Sequence, residues 1–228
     1  MFDLVIFDCD GVLIDSELIS ARMLIAELAL HDVDIDLDYV ARHFLGRSYP
    51  IVLKQIRTEF GIDLPDTFEA EYRARLLAAF AAELTECKGV REVISRVGVP
   101  TCVATSSSPE RVATSLNCVG LADLFGDRVF TASQVSAGKP APDLFLFTAA
   151  QMGVAPERCL VIEDSLNGVR AGLAAGMTVC RYVGGSHLAG KVGPDPDDAR
   201  AHHRITDFDQ FFATFPGLQR MEDCNATE

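Results

Sequence analysis

The chain has 228 residues, of which 49% are hydrophobic and 23% are charged, and its formal net charge is −13. This balance is typical of a globular protein and excludes a disordered one, while the negative charge argues against nucleic acid or an anionic membrane as a partner. No apolar run reaches membrane-spanning length and no basic leader precedes the first one, so we expect a cytoplasmic monomer without a membrane partner.

The first predicted element is a short buried strand. The run Leu4–Phe7 is fully apolar, which is typical of a strand covered on both faces of a parallel sheet. Asp8 and Asp10 follow it directly, and in open parallel sheets ligands bind beyond the carboxyl ends of the strands. Two close carboxylates can act as nucleophile and proton donor, or can hold Mg²⁺. The alternative is an Asp-rich turn that bends at Gly11.

The next segment, residues 16–86, carries helical patterns and no strand pattern. Ser16 is the predicted N-cap of the first helix, because serine is favoured at that position. Four helices are predicted here, at 16–30, 38–44, 49–60 and 68–84.

From residue 90 onward, predicted helices alternate with predicted strands. The strands are 101–104, 129–131, 159–162 and 178–182. The helices are 90–97, 109–116, 142–152, 166–175 and 208–214. This alternation is typical of right-handed β-α-β units that build a parallel sheet. We therefore predict an α/β fold with a doubly wound, Rossmann-like parallel-sheet core.

The order of the elements also predicts two domains. Residues 1–15 and 87–228 would form the α/β core, and residues 16–86 would be an all-α domain inserted into it. Two adjacent chain crossings, at residues 15–16 and 85–89, would act as a hinge that lets the inserted domain open and close. Residues 184–202 are predicted as a loop and residues 221–228 as a disordered tail.

Polar residues follow the ends of two further predicted strands. Thr105 is followed by three serines and then by a helix start, an arrangement that binds phosphate through hydroxyl and amide groups or simply caps a helix. Glu163 and Asp164 end the strand at 159–162, where buried carboxylates need a cation. Lys139 lies between turn residues and next to a proline; a loop lysine is usually just solvated, but one held in this way could instead serve as a fixed charge for a phosphoryl group.

Together these motifs resemble those of the haloacid dehalogenase superfamily, in the subgroup with a helical cap after the first motif. The resemblance extends from residue 5 to about residue 177 and is nearest to the β-phosphoglucomutase-like enzymes and the 6-phosphogluconate phosphatase-like sugar-phosphate phosphatases. It is carried by four ordered motifs: Asp8-x-Asp10-Gly11-x-Leu13-x-Asp15-Ser16-Glu17, Thr105-Ser106, Gly138-Lys139-Pro140 and Glu163-Asp164-Ser165.

The resemblance implies a role for each motif. Asp8 would attack phosphorus to form an aspartyl-phosphate, and Asp10 would be the general acid and base. Mg²⁺ would be held by the Asp8 carboxylate, the backbone carbonyl of Asp10 and Asp164, with Glu163 acting through a water molecule. Phosphate binding is expected from four residues: Gly11, Ser106, Ser107 and Lys139.

The resemblance leaves three functions open. A phosphatase acting on a sugar phosphate or a phosphorylated sugar acid is favoured, because the mutase of this subgroup has a histidine where this chain has Ser20. A phosphosugar mutase is the alternative, and a non-catalytic binding protein is disfavoured because Asp8, Asp10 and Lys139 are all present. The cap loop that selects the substrate is expected at Gly46, Arg47 and Ser48, with the arginine binding a second anionic group.

Overall fold

The structure is a computed structural model that describes residues 1–44 and 49–220. Its centre is a sheet of six parallel strands in the order β3-β2-β1-β4-β5-β6. The strands are β1 (Leu4–Phe7), β2 (Thr101–Thr105), β3 (Val129–Thr131), β4 (Cys159–Glu163), β5 (Thr178–Tyr182) and β6 (His203–Ile205). Strand β1 is therefore central, with β2 and β4 as its neighbours.

The alternation of side chains along β1 divides the core into two layers. Leu4 and Ile6 pack into one apolar cluster and Val5 and Phe7 into another, and all four side chains are fully buried. Because successive residues of a strand point to opposite faces, both faces of the sheet are covered by helices. The predicted doubly wound α/β fold is confirmed.

Ten α-helices surround the sheet in the described residues. They are α1 (Glu17–Ala29), α2 (Leu37–His43), α3 (Tyr49–Phe60), α4 (Phe68–Glu83), α5 (Val90–Arg96), α6 (Pro109–Cys118), α7 (Ala122–Phe125), α8 (Asp143–Gln151), α9 (Leu166–Ala174) and α10 (Phe211–Thr214). Helices α1 to α4 follow one another between β1 and β2, with no strand among the described residues of that stretch. None of the helices in this part of the chain is long and apolar enough to cross a membrane.

Several predicted details differ from the structure. Ser16 occupies the N-cap position of α1 as predicted, but its side chain makes no capping hydrogen bond. The predicted loop at 184–202 contains two 3₁₀ helices, Ser186–Leu188 and Asp197–Ala199, and β6 follows it directly. The last predicted helix is a 3₁₀ turn that continues into α10. The expected tail at 221–228 lies outside the described residues.

The chain segments that enter and leave the four-helix stretch run side by side. The amide of Asp15 donates to the Thr85 carbonyl (3.0 Å), and the amide of Cys87 donates to the Leu13 carbonyl (2.9 Å). These two backbone hydrogen bonds join the entering segment to the leaving segment. The start of α1 and the end of α4 therefore lie close together beside the sheet.

Candidate active site

The polar residues predicted from the strand ends meet at the carboxyl edge of β1, β2 and β4. They line a cavity of about 490 Å³ whose opposite wall is formed by α1 to α4. The predicted residues on this cavity are Asp8, Asp10, Ser106, Ser107, Lys139, Glu163 and Asp164. Since three neighbouring parallel strands end here, residues far apart in sequence come within hydrogen-bond distance of one another.

Lys139 is at the centre of the first cluster. Its Nζ donates to Asp8 Oδ1 (2.7 Å), to Glu163 Oε1 (2.8 Å) and to the carbonyl of Ala104 (2.9 Å). An ammonium group has three protons, so all of its donors are used. The other oxygen of Glu163 accepts from the amide and the hydroxyl of Ser165, so the Glu163 carboxylate is fixed from both sides.

Burial determines the protonation preferences in this cluster. It raises the pKa of Asp8 well above its ordinary value, and the charges of Glu163 and Asp164 raise it further against the opposing effect of Lys139. Burial and the charge of Glu163 likewise raise the pKa of Asp164. Burial alone would lower the pKa of Lys139, but Asp8 and Glu163 raise it above its usual range, so the lysine stays charged.

The same cluster can hold a cation. Carboxylate oxygens of Asp8, Glu163 and Asp164 lie within 4.8 Å of one another, and all three residues are buried. If all three are ionised, their charges exceed that of Lys139 by two, which is the deficit that one divalent cation balances. Oxygen ligands of this kind suit a hard cation such as Mg²⁺.

Gly11 and His187 both lie against the carboxylate of Asp164. Gly11 has a φ of +77°, and a Cβ atom there would lie 2.1 Å from Asp164 Oδ2. The amide of Gly11, predicted to bind phosphate, instead donates to the Ile14 carbonyl (2.8 Å). His187 Nε2 lies 2.9 Å from Asp164 Oδ2, and burial lowers the pKa of this histidine. Both residues therefore limit where the Asp164 carboxylate can lie.

Asp10 has a separate set of partners. Its Oδ1 accepts from the hydroxyl of Ser16 (2.6 Å) and from Arg111 Nη2 (2.7 Å), and its Oδ2 accepts from the hydroxyl of Ser107 (2.5 Å). Burial raises the pKa of Asp10, but the charge of Arg111 and the hydrogen bonds from Ser107 and Ser16 outweigh burial, and the pKa is lowered overall. Asp10 is therefore held as a carboxylate.

The three serines after β2 have different partners. Ser108 is the N-cap of α6 and accepts from the amide of Arg111 (3.3 Å). The hydroxyl of Ser107 donates to Asp10, so this residue, predicted to bind phosphate, contacts the second aspartate. Ser106 lines the cavity. Thr105 Oγ1 accepts from the amide of Ser107 and fixes the turn.

The wall formed by α1 to α4 is mainly apolar. Its described apolar residues are Ala21, Leu24, Val40, Phe44, Val52, Leu76 and Leu77. Its charged residues include Glu17, whose pKa is raised by burial and by Asp10 to about 8, and Arg73, which is paired with Glu69 and Glu110. Gly46, Arg47 and Ser48, predicted to select the substrate, lie outside the described residues.

Arg111 and His187 were not predicted from the sequence. Arg111 lies in the first turn of the helix that follows the serines, and a first-turn residue at a strand end can point into the crevice. For His187 the available signal was the pair Gly184-Gly185, separated from it by one serine, since two glycines allow close backbone approach. Neither signal is specific without the fold.

Comparison with known proteins identifies the class to which this fold and site belong. The family model of haloacid dehalogenase-like hydrolases matches residues 2–176, and the chain belongs to this family. The chain is 30% identical to the 6-phosphogluconate phosphatase of Escherichia coli K12, covering 83% of this chain and 86% of that protein. It is also 30% identical to hexitol phosphatase A of the same organism, covering 76% and 80%.

A solved structure agrees with this grouping. The haloacid dehalogenase-like protein of unknown function from Agrobacterium tumefaciens is 33% identical, with a TM-score of 0.80 over 96% of this chain and 99% of that one. The predicted superfamily is confirmed, and so is the prediction of an enzyme of the hydrolase class. The two curated relatives named above are phosphatases, which disfavours the mutase alternative.

Proposed function

We propose that the protein is a Mg²⁺-dependent phosphoric monoester hydrolase that releases phosphate from a small phosphorylated sugar or sugar acid. The observation that carries the proposal is the buried group of Asp8, Glu163, Asp164 and Lys139 at the mouth of the cavity. It combines a carboxylate nucleophile with fixed charges, and phosphoryl transfer depends mainly on positioning and charge neutralisation. The names of the two curated relatives support the substrate class.

The residues around Asp8 fit a magnesium ion. The cluster carries three carboxylates against one ammonium group and is buried, so an uncompensated charge of minus two would be costly there. Asp8, Asp164 and the backbone carbonyl of Asp10 would hold the ion, with Glu163 acting through water because Lys139 and Ser165 already bind its carboxylate. When bound, Mg²⁺ neutralises negative charge on the reacting oxygens.

In the proposed reaction the two aspartates act in turn. Asp10 first takes up a proton as the anionic substrate binds, because a nearby negative charge favours the protonated form of a carboxyl group. The Asp8 carboxylate then forms a bond to phosphorus while the ester oxygen leaves and takes that proton from Asp10. Asp10, now a carboxylate, accepts a proton from the water molecule that attacks the aspartyl-phosphate. Phosphate is released, Asp8 is regenerated, and Asp10 again carries the proton. Lys139 and Ser106 would bind the phosphoryl oxygens, whereas Gly11 and Ser107 would position Asp164 and Asp10.

Residues 16–86 would form a cap over this site, and residues 1–15 and 87–228 the catalytic core. The cavity between α1 to α4 and the strand ends supports this division, and so does the pairing of the two chain crossings. A helical wall that moves at those crossings would admit substrate and then exclude water from the reaction.

The proposal is tested by phosphate release from a panel of sugar phosphates and phosphorylated acids, with Mg²⁺ and with EDTA. We expect release that needs Mg²⁺ and is abolished by Asp8→Asn, while Asp127→Asn, a change at an exposed aspartate just before β3 and outside the cavity lining, keeps full activity. Activity that survives Asp8→Asn would contradict the proposed nucleophile. Conversion of β-glucose 1-phosphate to glucose 6-phosphate without net release would establish a mutase instead.

A further inference from the structure

We propose that Arg111 makes the enzyme selective for phosphorylated sugar acids over phosphorylated hexitols, by binding the carboxylate of the substrate. The inference rests on the proposed phosphatase function and decides between the two substrate types named by the relatives. It assigns to α6 of the core a selectivity that the sequence had placed in the cap at Arg47.

Three cations line the described part of the cavity, and they differ in how their donors are used. Lys139 donates all three protons to Asp8, Glu163 and the Ala104 carbonyl. Arg73 forms ion pairs with two glutamates at its surface end. Arg111 differs from both, because its two side-chain hydrogen bonds within the described residues both leave from Nη2, to Asp10 and to Ser20.

Arg111 therefore keeps donors for a ligand. Its Nη1 makes neither of these hydrogen bonds, and its side chain is 22% exposed on the cavity. Its Nε is buried and makes no hydrogen bond to a described residue, so a ligand in the cavity would contact Nη1. The guanidinium is held in place over the ring of Phe80, with 5.4 Å from Cζ to the ring centroid. A fixed guanidinium with unused N–H groups on Nη1 can bind a carboxylate through a charge-assisted hydrogen bond.

Arg111 lies close to the place that the leaving group of the substrate would occupy. Nη2 lies 2.7 Å from Asp10 Oδ1, and Asp10 is the proposed proton donor to the ester oxygen, so the part of the substrate attached to that oxygen must pass Arg111. Glu17 also faces this region, but with a pKa of about 8 it is mostly neutral at pH 7 and does not repel an anion. The wall beyond is mainly apolar and offers a polar chain few alternative partners.

Two esters isolate this contribution. Glucitol 6-phosphate and 6-phosphogluconate are open-chain six-carbon phosphates that differ at C1, which is an alcohol in the first and a carboxylate in the second. We expect kcat/KM of the wild-type enzyme to favour 6-phosphogluconate by about 30-fold or more, since a site built for a charged partner discriminates against the neutral analogue. Arg111→Gln should bring the ratio to within about threefold of one.

The ratio also separates selectivity from the contact with Asp10. Loss of that contact lowers the activity on both esters together, because both need the same proton donor, and leaves their ratio unchanged. Arg111→Lys keeps the charge without the fixed, planar guanidinium and should give an intermediate ratio. Circular dichroism and p-nitrophenyl phosphate hydrolysis show whether Arg111→Gln folds. If it does not fold, Arg111→Lys is the variant that tests the inference.

Matched variants complete the test. Arg73→Gln removes another arginine of the same cavity, and Arg47→Gln removes the one predicted from the sequence; neither should change the ratio. An unchanged ratio in both Arg111 variants, a wild-type ratio near one, or loss of the preference in Arg47→Gln would overturn the inference while leaving the phosphatase proposal intact. A wild-type enzyme that hydrolyses no ester, p-nitrophenyl phosphate included, would overturn both.

Discussion

Asp8 and Asp10 follow the same strand two residues apart, yet their surroundings are opposite. Asp8 lies among Lys139 and two further buried carboxylates, and its pKa is raised by burial and by those charges. Asp10 lies among Arg111 and two serine hydroxyls, and these lower its pKa in spite of burial. The carboxylates around Asp8 therefore outnumber Lys139, whereas the charge of Asp10 is balanced by Arg111.

This difference shows how one residue type can serve two roles in one site. The Asp8 side has room for a divalent cation, which would keep its carboxylate ionised for attack. The Asp10 side is complete without a metal, because its donors come from the protein itself. These two shifts run opposite to the proposed roles, which need Asp8 ionised and Asp10 protonated, so binding of the cation and of the anionic substrate must reverse both.

The largest expected effect comes from removing the proton at position 10. Asp10→Asn should lower kcat for a sugar phosphate by about 10²–10⁴-fold, because the alkoxide then leaves unprotonated. p-Nitrophenolate leaves without a proton, so its ester should still give a rapid burst of one nitrophenolate per enzyme, followed by slow turnover. Rapid-mixing absorbance measures the burst.

The proposed division of roles would be contradicted if Asp10→Asn lost activity equally on the sugar phosphate and on p-nitrophenyl phosphate and gave no burst. Ser16→Ala is the matched weaker change, because it removes one hydrogen bond to Asp10 and keeps the carboxylate. It should keep the ordinary turnover of p-nitrophenyl phosphate, without the burst and slow second phase of Asp10→Asn.

A smaller effect is expected from removing Lys139, the cation that pairs with Asp8. Lys139→Met leaves buried carboxylates without their counter-charge, and we expect the free energy of unfolding in EDTA to fall by about 3–5 kcal/mol. Adding Mg²⁺ should restore part of this loss, since only the folded protein offers the assembled ligands. Urea denaturation with and without the metal measures both quantities.

The control for this prediction is Lys191→Met. Lys191 pairs with Asp38 at 2.9 Å on the surface, where both side chains are about half exposed or more. Exposed pairs of this kind contribute less than about 1 kcal/mol. If Lys139→Met lowers the free energy of unfolding no more than Lys191→Met does, Lys139 does not stabilise the buried charges of Asp8 and Glu163.

The smallest effect concerns Glu17, whose folded-state pKa is raised by burial and by Asp10 from 4.5 to about 8. Between these pH values the folded state keeps a proton that the unfolded state has released, so stability falls as pH rises, by at most about 1.4 kcal/mol per pH unit. Glu17→Gln removes this dependence and should be increasingly more stable than wild type from pH 5 to pH 8. If the free energies of unfolding of the two proteins change with pH in the same way across this range, Glu17 does not have the raised pKa.

Much of the fold could be predicted because its signals are local. The apolar runs of β1 and β4 and the turn residues between the later elements predict the parallel sheet and the residues at its carboxyl edge. Strand β6 was missed because most of it is exposed, unlike the equally short edge strand β3. His203 and Arg204 are exposed, and only Ile205 is buried, so no apolar run marks it.

The contacts that distinguish the two aspartates could not be read from the sequence. Arg111 and Asp10 are 101 positions apart, and only the order of the strands brings them together. Ser16 has the residue type and the place of an N-cap, but its hydroxyl binds Asp10 instead. Local propensity predicts where such residues lie along the chain, while tertiary packing decides which partner they bind.

The central claim, that Asp8 is the nucleophile and Asp10 is not, is tested most directly by locating the phosphoryl group. Asp10→Asn should form the aspartyl-phosphate from p-nitrophenyl phosphate and hydrolyse it slowly, so acid-quenched protein can be digested and analysed by mass spectrometry. We predict one added phosphoryl group on the peptide that contains Asp8, and none when Asp8→Asn is combined with Asp10→Asn. A phosphoryl group on another residue, or rapid release of phosphate with no labelled peptide, would contradict the account.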